Sequence, residues 1–463
     1  MEASTVQRNS SPEETASGNF VSTRNACKLC APLGAGIAFR GIEGCIPLIH
    51  GSQGCSTYIR RYVISHFKEP IDIASSNFSE ESAIFGGGDN LKKALDNLTR
   101  QYKPAVIGIA STCLSETIGD DIRLYLDQYV KAKKGEEIPV LLHASTPSYR
   151  GTHVDGFHEA VRAAVEALAQ GGPHRESLNV LPGFVSPEDL RHLKEILADF
   201  SIGYALLPDY SETLDGESWA EYQKLSAGGT SLQSIREMGS AKVTFQFGKS
   251  LAGQKTAATH LEEKFGVPTV NLTMPIGIRA SDRFFEAIHE WTGVAVPKKY
   301  EQERGRLVDA YIDGHKYLFG KRAVIYGEAD FVTAMASLLD EIGIVPVLCA
   351  TGAAPGGFQK EVTSVIENTR EAPQIVEDTD FMTMLETARE LGAEIVIGNS
   401  KGYSLARKLD IPMVRVGFPI HDRIGGQRIL HVGYRGAQQL FDRIVNTLIE
   451  AGQEASPVGY SYI

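Results

Sequence analysis

Short runs of β-branched and aliphatic residues alternate along this chain with longer amphipathic stretches, and that alternation limits the fold more than any other feature. Strands joined through helical crossovers pair in parallel, and the helices cover both faces of the sheet they form. Residues 105–110 (AVIGIA) and 139–143 (PVLLH) read as buried strands, with helices over 56–67, 90–101 and 153–169. A second set of strands reads at 178–181, 204–207, 242–247 and 269–272, with a helix over 188–200 opened by Pro187. Residues 281–314 read as helical and linking. A third set of strands falls at 323–326, 345–349, 394–398 and 413–416, with helices over 331–342 and 437–450. The pattern predicts an α/β protein of three doubly wound, Rossmann-like domains with parallel sheets, over residues 26–172, 173–320 and 321–463. Residues 1–25, rich in Ser, Thr, Glu and Asn without an apolar period, predict a flexible tail.

With 463 residues, 43% of them hydrophobic, the chain can fill several cores, which excludes global disorder. Its 46 Lys and Arg against 57 Asp and Glu leave a formal net charge of −11. Without a dense basic segment, that balance argues against a nucleic-acid partner. No run approaches the ~20 apolar residues of a membrane span, and residues 1–25 lack an apolar signal core. The expectation is a cytoplasmic protein with no membrane partner.

Six cysteines stand at 27, 30, 45, 55, 113 and 349, five of them in the first quarter of the chain. In a reducing compartment such clustering points to metal ligands, redox groups or small buried hydrophobes. Cys55 follows the small-residue loop His50-Gly51-Ser52-Gln53-Gly54 and opens into a predicted helix. Cys113 follows a predicted strand through Ser111-Thr112, and a helix again follows. Cys30 precedes Pro32 and the stretch Gly34-Ala35-Gly36. Ligands of doubly wound sheets gather outside the carboxyl ends of the strands, where helix N-termini favour thiolate. The nearby glycines predict close backbone approach to a bulky anionic centre. Spacings of 25 and 58 residues do not fit a zinc ribbon. Three dispersed thiolates suit an iron–sulfur cluster, although three is short of the usual four. Further ligands must come from elsewhere in the chain or from a partner. Ser148, beyond the strand at 139–143, reaches the same edge; its hydroxyl is a harder ligand than sulfur, or a helix cap.

Cys27 reads as a spare thiol, a redox partner of Cys30 or an alternative ligand. Cys45 and Cys349 read as core packing, and His50 and His66 as structural. Asp309 and Asp313, four apart on a predicted helix, project from one face. Phe85-Gly86-Gly87-Gly88 reads as a turn before a helix; it lacks the Lys-Ser/Thr ending of a nucleotide loop.

The segments HGSQGCSTYIRR, HFKEP, FGGG, STCLSETIGDD, TPSYRGTHVDGF, ERGRLVD, GFPIHDR and VGYRGAQQL occur in that order. From about Cys30 to Glu450 the chain resembles the β (K-type) subunit of nitrogenase component 1 and its nitrogenase-like relatives. The resemblance implies an α2β2 heterotetramer with an α-type (D) subunit. It also implies an eight-iron P-cluster shared between the two subunits. Cys30, Cys55 and Cys113 match the three cysteines this subunit contributes, and Ser148 the serine that ligates the oxidised cluster. Lys68, Glu69, Asp309 and Asp313 match a structural divalent-cation site between two β subunits. Phe85 matches a residue where the ATP-dependent iron–sulfur reductase docks, so ATP should bind that partner. The implied function is electron relay to an active-site metallocluster in the α-type partner; no catalytic residue is expected in this chain. A non-catalytic scaffold for cofactor maturation is the alternative, but that relative usually lacks a cysteine at position 113. A tetrapyrrole-reducing relative, with a four-iron cluster, gives Ser148 no role. Family members that reduce dinitrogen commonly carry Cys-Gln-Pro where this chain has Cys30-Ala31-Pro32, and an aromatic residue at Ile59. Together with Cys27, these departures fit a relative with another substrate, such as a methylthio-alkane reductase cleaving C–S bonds.

Overall fold

β-Branched runs that lie next to one another in space here pair in parallel throughout. The computed structural model describes residues 27–458 apart from 252 and 370, so the predicted tail at 1–25 lies outside the described residues. The first sheet comprises β1 (Cys45–His50), β2 (Ala74–Ser75), β3 (Val106–Ser111) and β4 (Val140–Ala144), in the order β2-β1-β3-β4. The second comprises β5 (Ser177–Leu181), β6 (Gly203–Leu206), β7 (Val243–Phe247) and β8 (Thr269–Leu272), in the order β6-β5-β7-β8. The third comprises β9 (Arg322–Gly327), β10 (Val345–Thr351), β11 (Gln374–Val376), β12 (Ile395–Gly398) and β13 (Met413–Arg415), in the order β11-β10-β9-β12-β13. Every pairing is parallel. The fold is therefore α/β with three parallel, doubly wound sheets. One continuous core runs beneath all three, through Leu33, Val106, Val180, Phe245, Ile325 and Cys349.

Two elements near the first sheet escape the periodicity. Residues 45–50 hold a proline and show no alternation, because β1 is buried at every position. The Ala31–Arg40 helix is glycine-rich, yet all ten of its residues are buried. It lies against the His153–Leu168 helix, backbone to backbone. A Cβ on Gly34 would stand 1.6 Å from the His153 carbonyl oxygen, and one on Gly156 would stand 1.9 Å from that of Ala31. Gly34 thus serves helix packing and not approach to a ligand, which corrects the sequence reading at that position. No helix among the described residues is long and apolar enough to cross a membrane.

Candidate metal centre

The carboxyl ends of β1, β3 and β4 deliver three of the four candidate ligands, as strand-to-helix turns in a parallel sheet require. After β1, Gly51-Ser52 leads into the Gln53–Phe67 helix, whose third residue is Cys55. After β3, Thr112 caps the Cys113–Thr117 helix with a reciprocal capping box, so Cys113 is its first residue. Ser148 lies in the turn after β4. Cys30 is the N-cap of the Ala31–Arg40 helix and bridges the chain at Thr152.

These groups meet. The Ser148 N–H donates to Cys113 Sγ at 3.2 Å, while Ser148 Oγ accepts from the Ala31 N–H at 3.1 Å. One residue therefore touches both the Cys113 sulfur and the helix that Cys30 opens. Cys30 has no side-chain cap of its own, so Ser148 supplies it, and the helix-cap reading of this serine holds in that form. Ser52 Oγ donates to Cys55 Sγ at 3.7 Å. Burial pushes the Cys30 thiol up to about 11; the Leu33 amide pulls it down, and the neighbouring Cys55 and Cys113 sulfurs raise it further. Desolvation thus outweighs the helix N-terminus here, against the expectation of a favoured thiolate.

All six cysteines are free; Cys30 and Cys55 are half-buried and Cys113 is exposed. Among the described residues no three His, Cys, Asp or Glu side chains close around a single metal ion. The sulfurs instead line an open edge. Soft sulfur donors with one hydroxyl, spread along such an edge, fit a polynuclear iron–sulfur group completed from a second chain.

A clamp that sequence spacing does not reveal holds this edge. Glu116 Oε1 accepts from Ser111 Oγ at 2.5 Å and from Ser145 Oγ at 2.6 Å. Thr146 donates its N–H to Ser111 Oγ at 2.8 Å. The end of β3 is thereby fixed to the turn that carries Ser148. The only hint in the sequence is Glu116 three residues after Cys113, the N-terminal acid of a short helix.

Cys27 lies elsewhere. It packs with Val324, Tyr326, Leu348 and Phe381 of the third sheet's cluster, and burial pushes its thiol up to about 12. Cys45 and Cys349 are buried in the core, as read from the sequence. Lys68 is the left-handed C-cap of the Gln53–Phe67 helix. Next to it, burial and the neighbouring Asp215 hold the Glu69 carboxyl above its ordinary range, with Arg428 opposing. Asp309 and Asp313 are exposed on the Lys298–Leu318 helix. Among the described residues these carboxylates form no group that could hold a metal ion. Phe85 ends the Glu80–Phe85 helix at 82% exposure, beside Ile84 at 74%.

Three doubly wound parallel sheets with cysteines along one edge describe a large α/β redox protein. The chain belongs to the nitrogenase component 1 type oxidoreductase family, whose model matches residues 30–449. It is similar to the nitrogenase molybdenum-iron protein beta chain of Clostridium pasteurianum, 39% identical over 92% of this chain and 93% of that one. It is also similar to the nitrogenase iron-molybdenum cofactor biosynthesis protein NifN of Bradyrhizobium diazoefficiens, 33% identical over 92% of this chain and 89% of that one. The solved structure "Nitrogenase Cp1 at pH 6.5" matches with a TM-score of 0.93 at 36% identity, covering 98% of this chain and 99% of that one. The chain is a component 1 β-type subunit and an oxidoreductase by family.

Proposed function

We propose that this chain is the electron-relaying β-type subunit of a two-component, ATP-dependent nitrogenase or nitrogenase-like reductase. The observation that carries the reading is the meeting of Cys113, Ser148 and the Cys30 helix at the open edge of the first sheet. Cys30, Cys55 and Cys113, with Ser148, would hold this subunit's share of an eight-iron P-cluster. An α-type subunit would supply the remaining ligands within an α2β2 heterotetramer. When bound, the cluster supplies one-electron storage between a docked iron–sulfur reductase and the α-type partner's active-site metallocluster. The chain's own part is to shield two of its three sulfurs partly from water and to fix them on helix N-termini. Through Glu116 it also holds the turn that bears Ser148, so that the Ser148 amide meets the Cys113 sulfur while its hydroxyl caps the helix that Cys30 opens. Phe85, exposed at a helix end, is read as the docking contact for the reductase. Lys68, Glu69, Asp309 and Asp313 are read as one half of a divalent-cation site between two β-type subunits. Residues 26–172, 173–320 and 321–463 are read as three domains, one to each sheet.

Likeness to NifN supports a second reading, a scaffold on which a metallocofactor matures. Cys113 favours the relay, because a scaffold has no need of a complete thiol set. The test is to purify the chain with its α-type partner, count iron, and supply reductase and ATP under dinitrogen or a volatile thioether. A relay turns over one of these substrates. Ammonia identifies dinitrogen as acceptor; methane or ethylene with a thiol identifies C–S cleavage. A complex that carries less iron and hands a cofactor to an acceptor protein without turnover is the scaffold.

A further inference from the structure

A fully buried histidine–aspartate pair joins the exposed Ile84–Phe85 ridge to the loops that bear Cys55 and Cys113. His50 ends β1 and Asp120 follows the Cys113–Thr117 helix; their side chains are 0% and 2% exposed, with Nε2 3.1 Å from Oδ2. Outward, both Asp120 oxygens accept from the Gly87 N–H at 3.1 Å, two residues beyond Phe85. Tyr125 donates its hydroxyl to Oδ1 at 3.2 Å. Inward, His50 Nδ1 lies 3.1 Å from Ser76 Oγ, which accepts from the Gly51 N–H at 3.0 Å. Gly51 opens the loop to Cys55. The His50 carbonyl accepts from Thr112 Oγ1 at 3.0 Å, and Thr112 caps the helix that begins at Cys113. Because the Asp120 carboxylate can only accept, Nε2 carries the hydrogen shared with it, and in the neutral imidazole Nδ1 then accepts from the Ser76 hydroxyl.

This network has no slack. Phe78 meets the imidazole edge-on with centroids 4.8 Å apart. A Cβ on Gly87 would stand 2.2 Å from the Phe78 ring and 2.7 Å from Asp120 Oδ2. A desolvated, charge-assisted hydrogen-bond chain is stiff, so a shift of the ridge carries Asp120, then His50, then both cysteine loops.

We propose that His50 and Asp120 are positioning residues that couple docking at the Ile84–Phe85 ridge to the placement of the Cys55 and Cys113 loops, so that electron delivery answers to docking. The proposal rests on the relay reading above, and the two fail differently.

The experiment uses the complex with its α-type partner, comparing wild type with Asp120→Asn, His50→Ala and His50→Gln. Iron content, KM for the reductase and ATP hydrolysed per electron delivered are the readouts. For Asp120→Asn and His50→Ala, iron and KM are expected to stay at wild-type values while electron delivery falls about 10-fold, as for other groups behind a ligand shell. ATP consumed per electron rises in proportion. His50→Gln keeps an N–H aimed at Asp120 and is expected to restore coupling, which decides the matter should Asp120→Asn fail to fold. Wild-type ATP per electron in His50→Ala overturns the proposal, as does a loss of rate that merely follows loss of iron. A wild-type complex that delivers no electrons with reductase and ATP overturns the relay reading instead.

Discussion

Cys113 is exposed and, among the described residues, its sulfur accepts only the Ser148 amide, so replacing it removes the proposed ligand without opening a cavity. Cys113→Ala is expected to change folding stability by no more than about 0.5 kcal/mol, while the iron of the complex and its electron delivery are lost. Thermal unfolding and iron analysis on one preparation check this, and unchanged turnover would refute the ligand assignment. His66 carries a different expectation. Its ring is buried and its Nδ1 accepts from the Ile420 N–H at 2.9 Å, so protonation would set donor against donor. Burial pushes its pKa from 6.5 down to about 3, and His143 and His158 are each pushed to about 4. With the folded value depressed, the stabilisation is full above pH 6.5. It is lost on acidification, because the unfolded chain takes up a proton that the folded chain refuses. His66 alone should cost about 1.4 kcal/mol per pH unit between pH 6.5 and 3. Urea unfolding at several pH values checks the slope, and His66→Gln should reduce it by one proton's worth.

The Ala31–Arg40 and His153–Leu168 helices are the elements on which Cys30 and the turn at Thr152 depend. Their contact leaves no room for a methyl group at either glycine. Gly156→Ala is expected to destabilise the protein by about 3 kcal/mol through forced helix separation, read by denaturant midpoint, and to lower iron content as Cys30 moves. Strands with strong β-branched and aliphatic runs, such as β3 and β9, were legible in the sequence because buried parallel strands need little besides apolar bulk. β1 was not, since Pro47 and the absence of alternation hide a strand buried on both faces. Nor was the Ala31–Arg40 helix, whose glycines lower its propensity and whose stability comes from packing that no local window contains. At the candidate site, Cys30, Cys55, Cys113 and Ser148 stood out through their positions next to turns. Glu116 and the His50–Asp120 pair did not, because their partners come from distant strands. β2 and β11, two and three residues long, are too short to carry a pattern.

Across the whole molecule, one connected core underlies three sheets while one sheet edge is left open. The Ile84–Phe85 ridge stands apart from that core, so Phe85→Ala is expected to raise the KM for the reductase by about 10-fold without changing iron content or unfolding temperature. Steady-state titration with the reductase measures it. The openness of the cysteine edge bears on biosynthesis. A newly made chain that has not met its partner displays sulfur to the medium, at Cys113 above all, and is therefore a target for alkylating agents, peroxide and stray copper or zinc. Synthesis of the two chains in balanced amounts, under low oxygen, is what such a surface demands of the cell that makes it.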